Sequence, residues 1–203
     1  MNPERIEQWK KAQTKERQFH TDPFEIGYIK YFESYRQYFS WLNIDFDLKQ
    51  KSILEIGPAD YPAIGYSING KNCEVIEPMP LSILKEILNS KSANYTLLNR
   101  GNNTAEFILI EANSRNHQWD EIWMFNLLQH VIDPDIIIAQ AKQAAKTIRF
   151  FEPINMGTND CHLHAFNYEY FYDRLGPKVS IYPGDPNASN FHTHECAYGI
   201  WKK

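Results

Sequence analysis

The fold is decided by one short stretch of the chain, Ser52-Ile53-Leu54-Glu55-Ile56-Gly57-Pro58-Ala59-Asp60-Tyr61-Pro62. An apolar run that ends at Gly57, with Ala59 two residues later and Pro62 at a helix start, predicts a strand, a tight turn and a helix. The backbone N–H groups of such a turn point outward, and small residues let a ligand approach the backbone closely. The stretch therefore predicts a turn that holds a nucleotide.

A second strand-like run supports this prediction. Cys73-Glu74-Val75-Ile76-Glu77 ends in a carboxylate twenty residues after Gly57 and is followed by Pro78. At the tip of the next parallel strand, Glu77 is placed to accept hydrogen bonds from ribose hydroxyls.

These motifs resemble those of the class I S-adenosylmethionine-dependent methyltransferases. The first motif of that family is an acidic residue, any residue, and then glycines at alternate positions. Glu55 and Gly57 match it, whereas Ala59 and Tyr61 stand where the next glycines usually fall. Glu77 stands where the ribose-binding acid of the family stands.

A third run is similar to the fourth strand of the family and the loop after it: Trp119-Asp120-Glu121-Ile122-Trp123-Met124-Phe125-Asn126-Leu127-Leu128-Gln129-His130-Val131-Ile132-Asp133-Pro134. It combines an asparagine, a leucine pair, a histidine and Asp-Pro. Similar runs occur in family members that act on sugars and small molecules.

The resemblance implies an α/β, Rossmann-like, doubly wound fold. We expect a mostly parallel seven-stranded sheet with an antiparallel C-terminal hairpin and an N-terminal helical cover. Residues 1–47 are expected to form the cover or lid, and residues 48–203 the cofactor-binding methyltransferase domain.

The resemblance also implies S-adenosylmethionine as the cofactor, S-adenosylhomocysteine as its product, and a small-molecule or glycan acceptor. Because parallel strands deliver ligands at their carboxyl ends, the site is expected at that edge of the sheet. The expected cofactor-binding residues are Glu55, Gly57, Pro58, Ala59, Tyr61, Glu77, Pro78, Glu106, Asn126 and Leu127.

The third strand has two candidates, Tyr95–Asn99 and Phe107–Glu111. The first would place Ala105-Glu106 in the loop on the adenine side, and the second would place Glu111-Ala112-Asn113 there. Adenine recognition needs an acceptor for the exocyclic amine, which either carboxylate supplies. We favour Glu106, and a solvated surface glutamate is the alternative.

Methyl transfer to a hydroxyl benefits from a general base, and histidine has a suitable pKa near 6.5. Three histidines are expected at the carboxyl edge, His130, His162 and His164. His130 has a structural alternative, in which it hydrogen-bonds its loop. The His-x-His pair offers metal-ligand spacing with Asp160 or Glu152, but we expect no metal because ligands must converge in number and geometry.

The N-terminal part predicts two helices. Residues 3–20 are charged and predict a solvated helix with few residues for docking, namely Ile6, Trp9 and Phe19. Asp22-Pro23-Phe24-Glu25 then provides a helix start signal. An aromatic stripe follows at helical spacing, Tyr28, Tyr31, Phe32, Tyr35, Tyr38, Phe39 and Leu42.

The stripe has two interpretations. It packs the helix on the main sheet, or it forms a lid in which Tyr28, Tyr31 and Tyr35 contact the acceptor. Both hold if different tyrosines serve the two roles.

The other predicted helices are residues 62–69, residues 80–90, a helix capped by Asp133-Pro134, and a helix from about Asn167 to Leu175. The other predicted strands are Asp120–Phe125, Lys146–Pro153, Lys178–Tyr182 and Glu195–Trp201. Since no glycine precedes Lys146, the chain must pass directly from helix to strand there.

Composition narrows the class of protein. With 203 residues, 43% of them hydrophobic, the chain fits one domain with a substantial core. A net charge of −4 gives no bulk attraction to nucleic acid or anionic membrane. The three cysteines are widely spaced, and we expect no signal peptide and no transmembrane span, hence a cytoplasmic protein. Composition does not indicate the oligomeric state.

Two other functions fit parts of the pattern. An NAD-dependent oxidoreductase uses the same turn and distal acid, but its Gly-x-Gly-x-x-Gly motif is replaced here by Gly57, Ala59 and Pro62. A non-catalytic binding module would tolerate the weakened glycine motif. The matched acidic, glycine and histidine positions argue against that second alternative.

Overall fold

A computed structural model of the chain describes residues 3–16, 24–59, 61–77, 95–98, 104–185 and 193–203, and for residues 24–31, 95 and 97 it describes the backbone alone. The helices are α1 (Pro3–Glu16), α2 (Phe24–Trp41), α3 (Ala105–Ser114), α4 (Pro134–Ala144) and α5 (Tyr168–Leu175). The strands are β1 (Ile53–Ile56), β2 (Cys73–Ile76), β3 (Tyr95–Leu97), β4 (Trp119–Phe125), β5 (Ala145–Pro153), β6 (Val179–Tyr182) and β7 (Cys196–Lys202). Two short 3₁₀ segments span Ala63–Tyr66 and Leu128–His130.

The strands form one mixed sheet in the order β3-β2-β1-β4-β5-β7-β6. β1 pairs in parallel with β2 and β4, whereas β7 is antiparallel to both β5 and β6. The α/β class is confirmed. The order reverses between β1 and β4, and ligands of open α/β sheets bind at the carboxyl ends of strands at such a point.

Two apolar clusters cover the two faces of the sheet. Residues of α3, α4 and α5 form one cluster with the sheet, and residues of α2 form the other. On the α2 side, Tyr38 stacks on Phe151 with ring centroids 4.2 Å apart, and Phe39 meets Trp123 edge-on at 5.4 Å. The packing interpretation of the aromatic stripe is therefore confirmed for this half of α2.

The helix predicted over residues 62–69 is wrong, because only the 3₁₀ segment Ala63–Tyr66 forms there. The face that a longer helix would cover is already covered by α2. Tyr66 packs on that helix, with its ring centroid 5.5 Å from that of Tyr35. The chain then extends at Ser67 and passes to β2.

The third strand is the first of the two candidates, since β3 spans Tyr95–Leu97 and Phe107–Glu111 lies inside α3. The apolar run of α3 resembled a strand because both faces carry apolar side chains, with Leu109 buried and Phe107 47% exposed. The side chain of Thr104 caps the helix by accepting from the Phe107 N–H. The helix predicted over residues 80–90 lies outside the described residues.

The C-terminal half follows the predictions closely. Asp133 caps α4 by accepting from the N–H groups of Asp135 and Ile136. Without a glycine, Ala145 leaves the helix directly in an extended conformation, with φ −134° and ψ 158°. No helix in the described part of the chain is both long enough and apolar enough to cross a membrane.

A buried ion pair joins α2 to the sheet. Arg149 Nε donates to Glu121 Oε2 at 2.6 Å, and Arg149 Nη1 donates to the carbonyl of Leu42 at the end of α2. Burial alone would raise the pKa of Glu121. The hydrogen bond and charge of Arg149, with donors from Lys51 and Trp123, outweigh burial and lower that pKa to about 2.

Replacing Arg149 by leucine is expected to reduce the free energy of unfolding by about 3–5 kcal/mol at pH 7, because it leaves a buried carboxylate without its main partner. The loss should shrink as the pH falls from about 4.5 to about 2, since the wild type loses the contribution of ionised Glu121 over that range. Urea denaturation at several pH values measures both effects. Arg36→Leu, which breaks an exposed pair with Glu33, is the control and should change little. Equal losses in the two variants would contradict the assignment.

Candidate functional site

A cavity that is open to solvent lies where β1, β2 and β4 end. The end of β1 and the turn after it contribute Ile56, Gly57, Pro58 and Ala59, and the end of β2 contributes Glu77. β4 and the loop after it contribute Phe125, Asn126, Leu127, His130 and Val131. The helices contribute Trp9, Gln13 and Glu16 of α1, Ser34, Tyr35 and Tyr38 of α2, and Ala105 and Glu106 of α3.

The turn after β1 depends on a glycine at position 57. Gly57 has φ +65° and donates its N–H to Ile76 O at 2.7 Å, which ties β1 to β2. A Cβ at this position would lie 2.4 Å from Leu127 Cδ1. Ala59 also has positive φ, +54°, and its N–H donates to Glu77 Oε2 at 2.8 Å.

Glu77 lines the cavity although its side chain is buried, with 2% of the residue exposed. Pro58 and Ala59 line the cavity next to it. The two elements that the sequence analysis singled out, the turn and the distal acid, therefore meet at one site. Pro78 lies outside the described residues.

Glu55 and Tyr61 are not part of the described lining. Glu55 is buried beneath the turn, where its two oxygens accept from the N–H groups of Ala63 and Ile64 at 2.8 and 2.9 Å. Burial raises the pKa of Glu55 to about 8, although these two hydrogen bonds oppose the rise. Tyr61 lies in the apolar cluster on the α2 side of the sheet. Glu55 therefore fixes the 3₁₀ segment that follows the turn, whereas Tyr61 belongs to the core.

Glu106 lines the cavity from the first turn of α3 rather than from a loop. It is buried, and its Oε1 accepts from the N–H groups of Ile132 and Asp133 at 2.8 and 2.9 Å. Glu106 thus holds the loop that precedes α4, a contact that the sequence did not predict.

Asn126 and Leu127 line the cavity at the end of β4. Asn126 has φ +56° and donates its N–H to Phe151 O. The N–H groups of Leu127 and Leu128 donate to the two oxygens of Glu152, at 2.9 and 3.1 Å. Glu152 is fully buried, and burial raises its pKa to about 8 against the effect of these two bonds. The sequence analysis missed this role, whose signal is an acidic residue within a buried apolar run.

His130 is the histidine that lines the cavity. Its Nδ1 lies 3.2 Å from Cys161 O, and because a carbonyl only accepts, Nδ1 carries the proton. Its Nε2 lies 3.2 Å from Gln129 Nε2, which also donates to Asn126 Oδ1 at 2.8 Å. This chain of hydrogen bonds leaves the lone pair of the neutral ring on Nε2.

His162 and His164 lie outside the described lining. The ring of His162 contacts that of His130 edge-on at 4.9 Å, and burial lowers the pKa of His162. His164 Nε2 lies 2.8 Å from Val131 O and so donates to it. Among the described residues, no group of three or more histidine, cysteine, aspartate or glutamate side chains is arranged to hold a metal ion.

The prediction that α1 is a solvated helix with few docking residues is confirmed for Trp9, which docks, but is wrong for the other residues of the same face. Trp9 and Ala12 are buried, and Trp9, Gln13 and Glu16 line the cavity. Residues at positions 9, 12, 13 and 16 share one helical face, which is the signal that the sequence analysis missed beneath the high charge of the segment. Phe19 lies outside the described residues.

The aromatic stripe of α2 contributes Tyr35 and Tyr38 to the cavity. Both residues are also buried in the cluster on the sheet. The side chains of Tyr28 and Tyr31 lie outside the described part of the chain.

The cavity is acidic. Three glutamates, Glu16, Glu77 and Glu106, stand in its described lining, which includes no lysine and no arginine. Such a lining attracts a cationic ligand and repels a phosphate.

No family model matches the sequence, and comparison with curated proteins found no match. Solved structures match by fold. The N-methyltransferase NodS from Bradyrhizobium japonicum, in complex with S-adenosyl-L-homocysteine, aligns with a TM-score of 0.57 and 15% identity over 92% of this chain and 90% of that chain. A SAM-dependent methyltransferase from Agrobacterium tumefaciens aligns with a TM-score of 0.56 and 8% identity over 85% of this chain. This chain spans 62% of that protein.

The N-terminal domain of EvdMO1, in the presence of SAH and D-fucose, aligns with a TM-score of 0.52 and 12% identity over 84% of this chain and 81% of that chain. At these identities the likeness establishes a shared fold. The chain therefore has the fold of the S-adenosylmethionine-dependent methyltransferases.

Gly57→Ala is expected to reduce the free energy of unfolding by about 3 kcal/mol, because it adds a clash with Leu127 to the cost of positive φ. Gly176→Ala isolates backbone strain from the clash. Gly176 has φ +86° and ψ −171°, a region almost confined to glycine, but an added Cβ meets nothing within 4 Å, so about 1–3 kcal/mol is expected from strain alone. Gly157→Ala has neither problem and should not destabilise the protein. Urea denaturation measures all three, and a Gly57→Ala loss of only about 1 kcal/mol, the cost of positive φ alone, would show that Leu127 moves aside.

Glu152→Gln is expected to flatten the pH dependence of stability between about pH 4.5 and pH 8. The pKa of Glu152 is raised in the folded state. The contribution of protonated Glu152 to the free energy of unfolding is therefore fully present below pH 4.5 and is lost as the pH rises through about 8. In Glu152→Gln the free energy of unfolding should fall less steeply with rising pH than in the wild type. Glu169→Gln, which changes an exposed residue, is the control and should keep the wild-type slope. Urea denaturation at pH 5, 6.5 and 8 measures the slopes. A slope unchanged in Glu152→Gln would mean that the two N–H donors keep Glu152 ionised.

Proposed function

We propose that this chain is an S-adenosylmethionine-dependent methyltransferase that methylates a hydroxyl group of a small molecule or a sugar-linked acceptor. The observation that carries the proposal is the meeting of the Gly57 turn and buried Glu77 in one acidic cavity at the reversal of strand order. The shared fold supports the same assignment.

The residues present fit the cofactor. Gly57 lines the cavity with backbone atoms, and Leu127, another lining residue, fills the space that a side chain at position 57 would need. Glu77 is placed to accept hydrogen bonds from the ribose hydroxyls. Asn126 and Leu127 line the adjoining strand end, and Glu106 lines the side formed by α3. When bound, the cofactor supplies an electrophilic methyl group.

The charge of the cavity favours this cofactor over NAD. S-adenosylmethionine carries a sulfonium and an ammonium group, which a lining with three carboxylates attracts. Among the lining residues that the structure describes, the diphosphate of NAD would find no lysine or arginine to pair with. This argument is independent of the missing glycines.

His130 is the proposed general base. Its Nε2 holds the lone pair, which lies 3.2 Å from the amide nitrogen of Gln129. In this proposal the acceptor hydroxyl replaces that amide as the hydrogen-bond donor to Nε2. It takes the proton of the acceptor hydroxyl as the oxygen bonds to the methyl carbon. When bound, S-adenosylmethionine would supply the methyl group, and its sulfur would keep the electron pair of the carbon–sulfur bond, which leaves S-adenosylhomocysteine. In this proposal His162 supports His130 through their edge-on ring contact, and His164 holds the loop through its hydrogen bond to Val131 O.

Residues 1–47 act in this proposal as the cover of the site. α1 contributes Trp9, Gln13 and Glu16, and α2 contributes Tyr35, so both helices enclose the cavity. Excluding water from the reacting groups strengthens electrostatic interactions between them. Tyr28 and Tyr31 are proposed to extend the acceptor side of this cover.

Calorimetric titration with S-adenosylmethionine, S-adenosylhomocysteine and NAD tests the cofactor. We expect micromolar binding of the two adenosyl ligands and none of NAD. Glu77→Ala should weaken adenosyl binding by about tenfold or more, since a hydrogen bond to a charged group contributes about 1.5–3 kcal/mol.

Two controls make the titration specific. Glu77→Gln keeps an acceptor for the Ala59 N–H and so separates loss of the ligand contact from loosening of the turn. Glu169→Ala removes an exposed carboxylate of α5 and should leave binding unchanged. If none of the three ligands binds the wild type, the proposal fails and the non-catalytic alternative takes its place.

A further inference from the structure

The polar contacts of α1 converge on the loops that carry His130. Glu16, at the C-terminal end of α1, places Oε2 3.8 Å from His130 Nδ1. Gln13 Nε2 lies 3.5 Å from His130 O, and Lys15 pairs with Asp160 at 2.7 Å. The helix therefore brings a negative charge to the proposed base, from a position 114 residues away in the sequence.

The groups that face the His130 ring differ in charge. The ring of His162 approaches it at 4.9 Å from the loop after β5, and Cys161 contributes its carbonyl oxygen. Gln129 contributes a neutral amide on the Nε2 side. Glu16 contributes a carboxylate on the Nδ1 side, and this side chain is 21% exposed.

The charge of Glu16 also affects the pKa of the Cys161 thiol. Burial first, and then the charge of Glu16 and a hydrogen bond to it, raise the pKa of Cys161. Cys161 therefore stays a neutral donor beside the carboxylate. The same charge acts on His162, where it opposes the lowering of the pKa by burial.

We propose that Glu16 is the positioning residue of the site, whose carboxylate stabilises His130 when the ring becomes positively charged. This inference rests on the proposed function, in which His130 takes the acceptor proton. The Nδ1–H of His130 already has a hydrogen-bond partner in the Cys161 carbonyl. The effect of Glu16 is therefore mainly one of charge, small for the neutral ring and larger for the imidazolium. An interaction that strengthens as charge develops accelerates a reaction.

The proposal couples the cover to the chemistry. Because Glu16 belongs to α1, His130 is strengthened as a base only when this helix is docked over the cavity. A site built in this way favours proton transfer in the closed, water-excluded state.

NMR titration of the histidine rings in the full-length protein tests the proposal without an acceptor. Glu16→Gln should lower the titration midpoint of the His130 imidazole by about 1 pH unit, because an opposite charge within about 4–6 Å favours the charged form. Glu7→Gln makes the same charge change on the exposed face of α1 and should leave the midpoint unchanged. A midpoint in Glu16→Gln equal to that of the wild type would overturn the proposal.

Glu16→Asp separates the charge from helix docking. It keeps the negative charge and should restore most of the wild-type midpoint. A Glu16→Asp midpoint as low as that of Glu16→Gln would assign the effect to displacement of α1 and would also overturn the proposal. Calorimetry with S-adenosylhomocysteine on the same samples distinguishes the two proposals. If the wild type does not bind this ligand, the cofactor assignment is refuted. The NMR titration still decides whether Glu16 acts on His130.

Discussion

Hydrogen bonds from backbone N–H groups to buried carboxyl groups hold the carboxyl edge of this sheet in shape. At the end of β5, fully buried Glu152 accepts from both Leu127 and Leu128 and so fixes the turn that follows β4. An N–H group left without a partner in the interior costs about 1–3 kcal/mol. The carboxyl group of Glu152 satisfies two such N–H groups, which lets the loop turn sharply beside the cavity.

The same arrangement recurs around the rim. Glu55 accepts from the 3₁₀ segment after β1, Glu106 accepts from the loop before α4, and Glu77 accepts from Ala59. Burial raises the pKa of Glu55 and of Glu152 to about 8, so both groups are carboxylic acids at neutral pH. These hydrogen bonds hold the turns in one conformation, and Glu77 and Glu106 also face the cavity. A rigid rim is what a site needs when its main task is to align two reactants.

The connection after β1 is short. Only one 3₁₀ turn forms there, α2 covers that face of the sheet, and Tyr35 and Tyr38 of α2 reach the cavity wall. The N-terminal segment is thus part of both the core and the site. The buried pair of Glu121 and Arg149 ties the end of α2 to β4 and β5. This contact fixes the position of α2 relative to the ends of the strands.

Local patterns in the sequence determined much of this architecture. The apolar run into Gly57, the acid at Glu77 and the Asp133-Pro134 cap are short-range signals, because a positive φ, a strand end and a helix cap each depend on a few neighbouring residues. Only the tertiary structure decided which apolar run became β3, that a full helix would not form after Gly57, and that Glu55 fixes the 3₁₀ segment after the turn. It also decided that Glu16 of α1 meets His130. These outcomes depend on contacts between residues far apart in the chain, where packing of α2 and α1 on the sheet overrides local propensity.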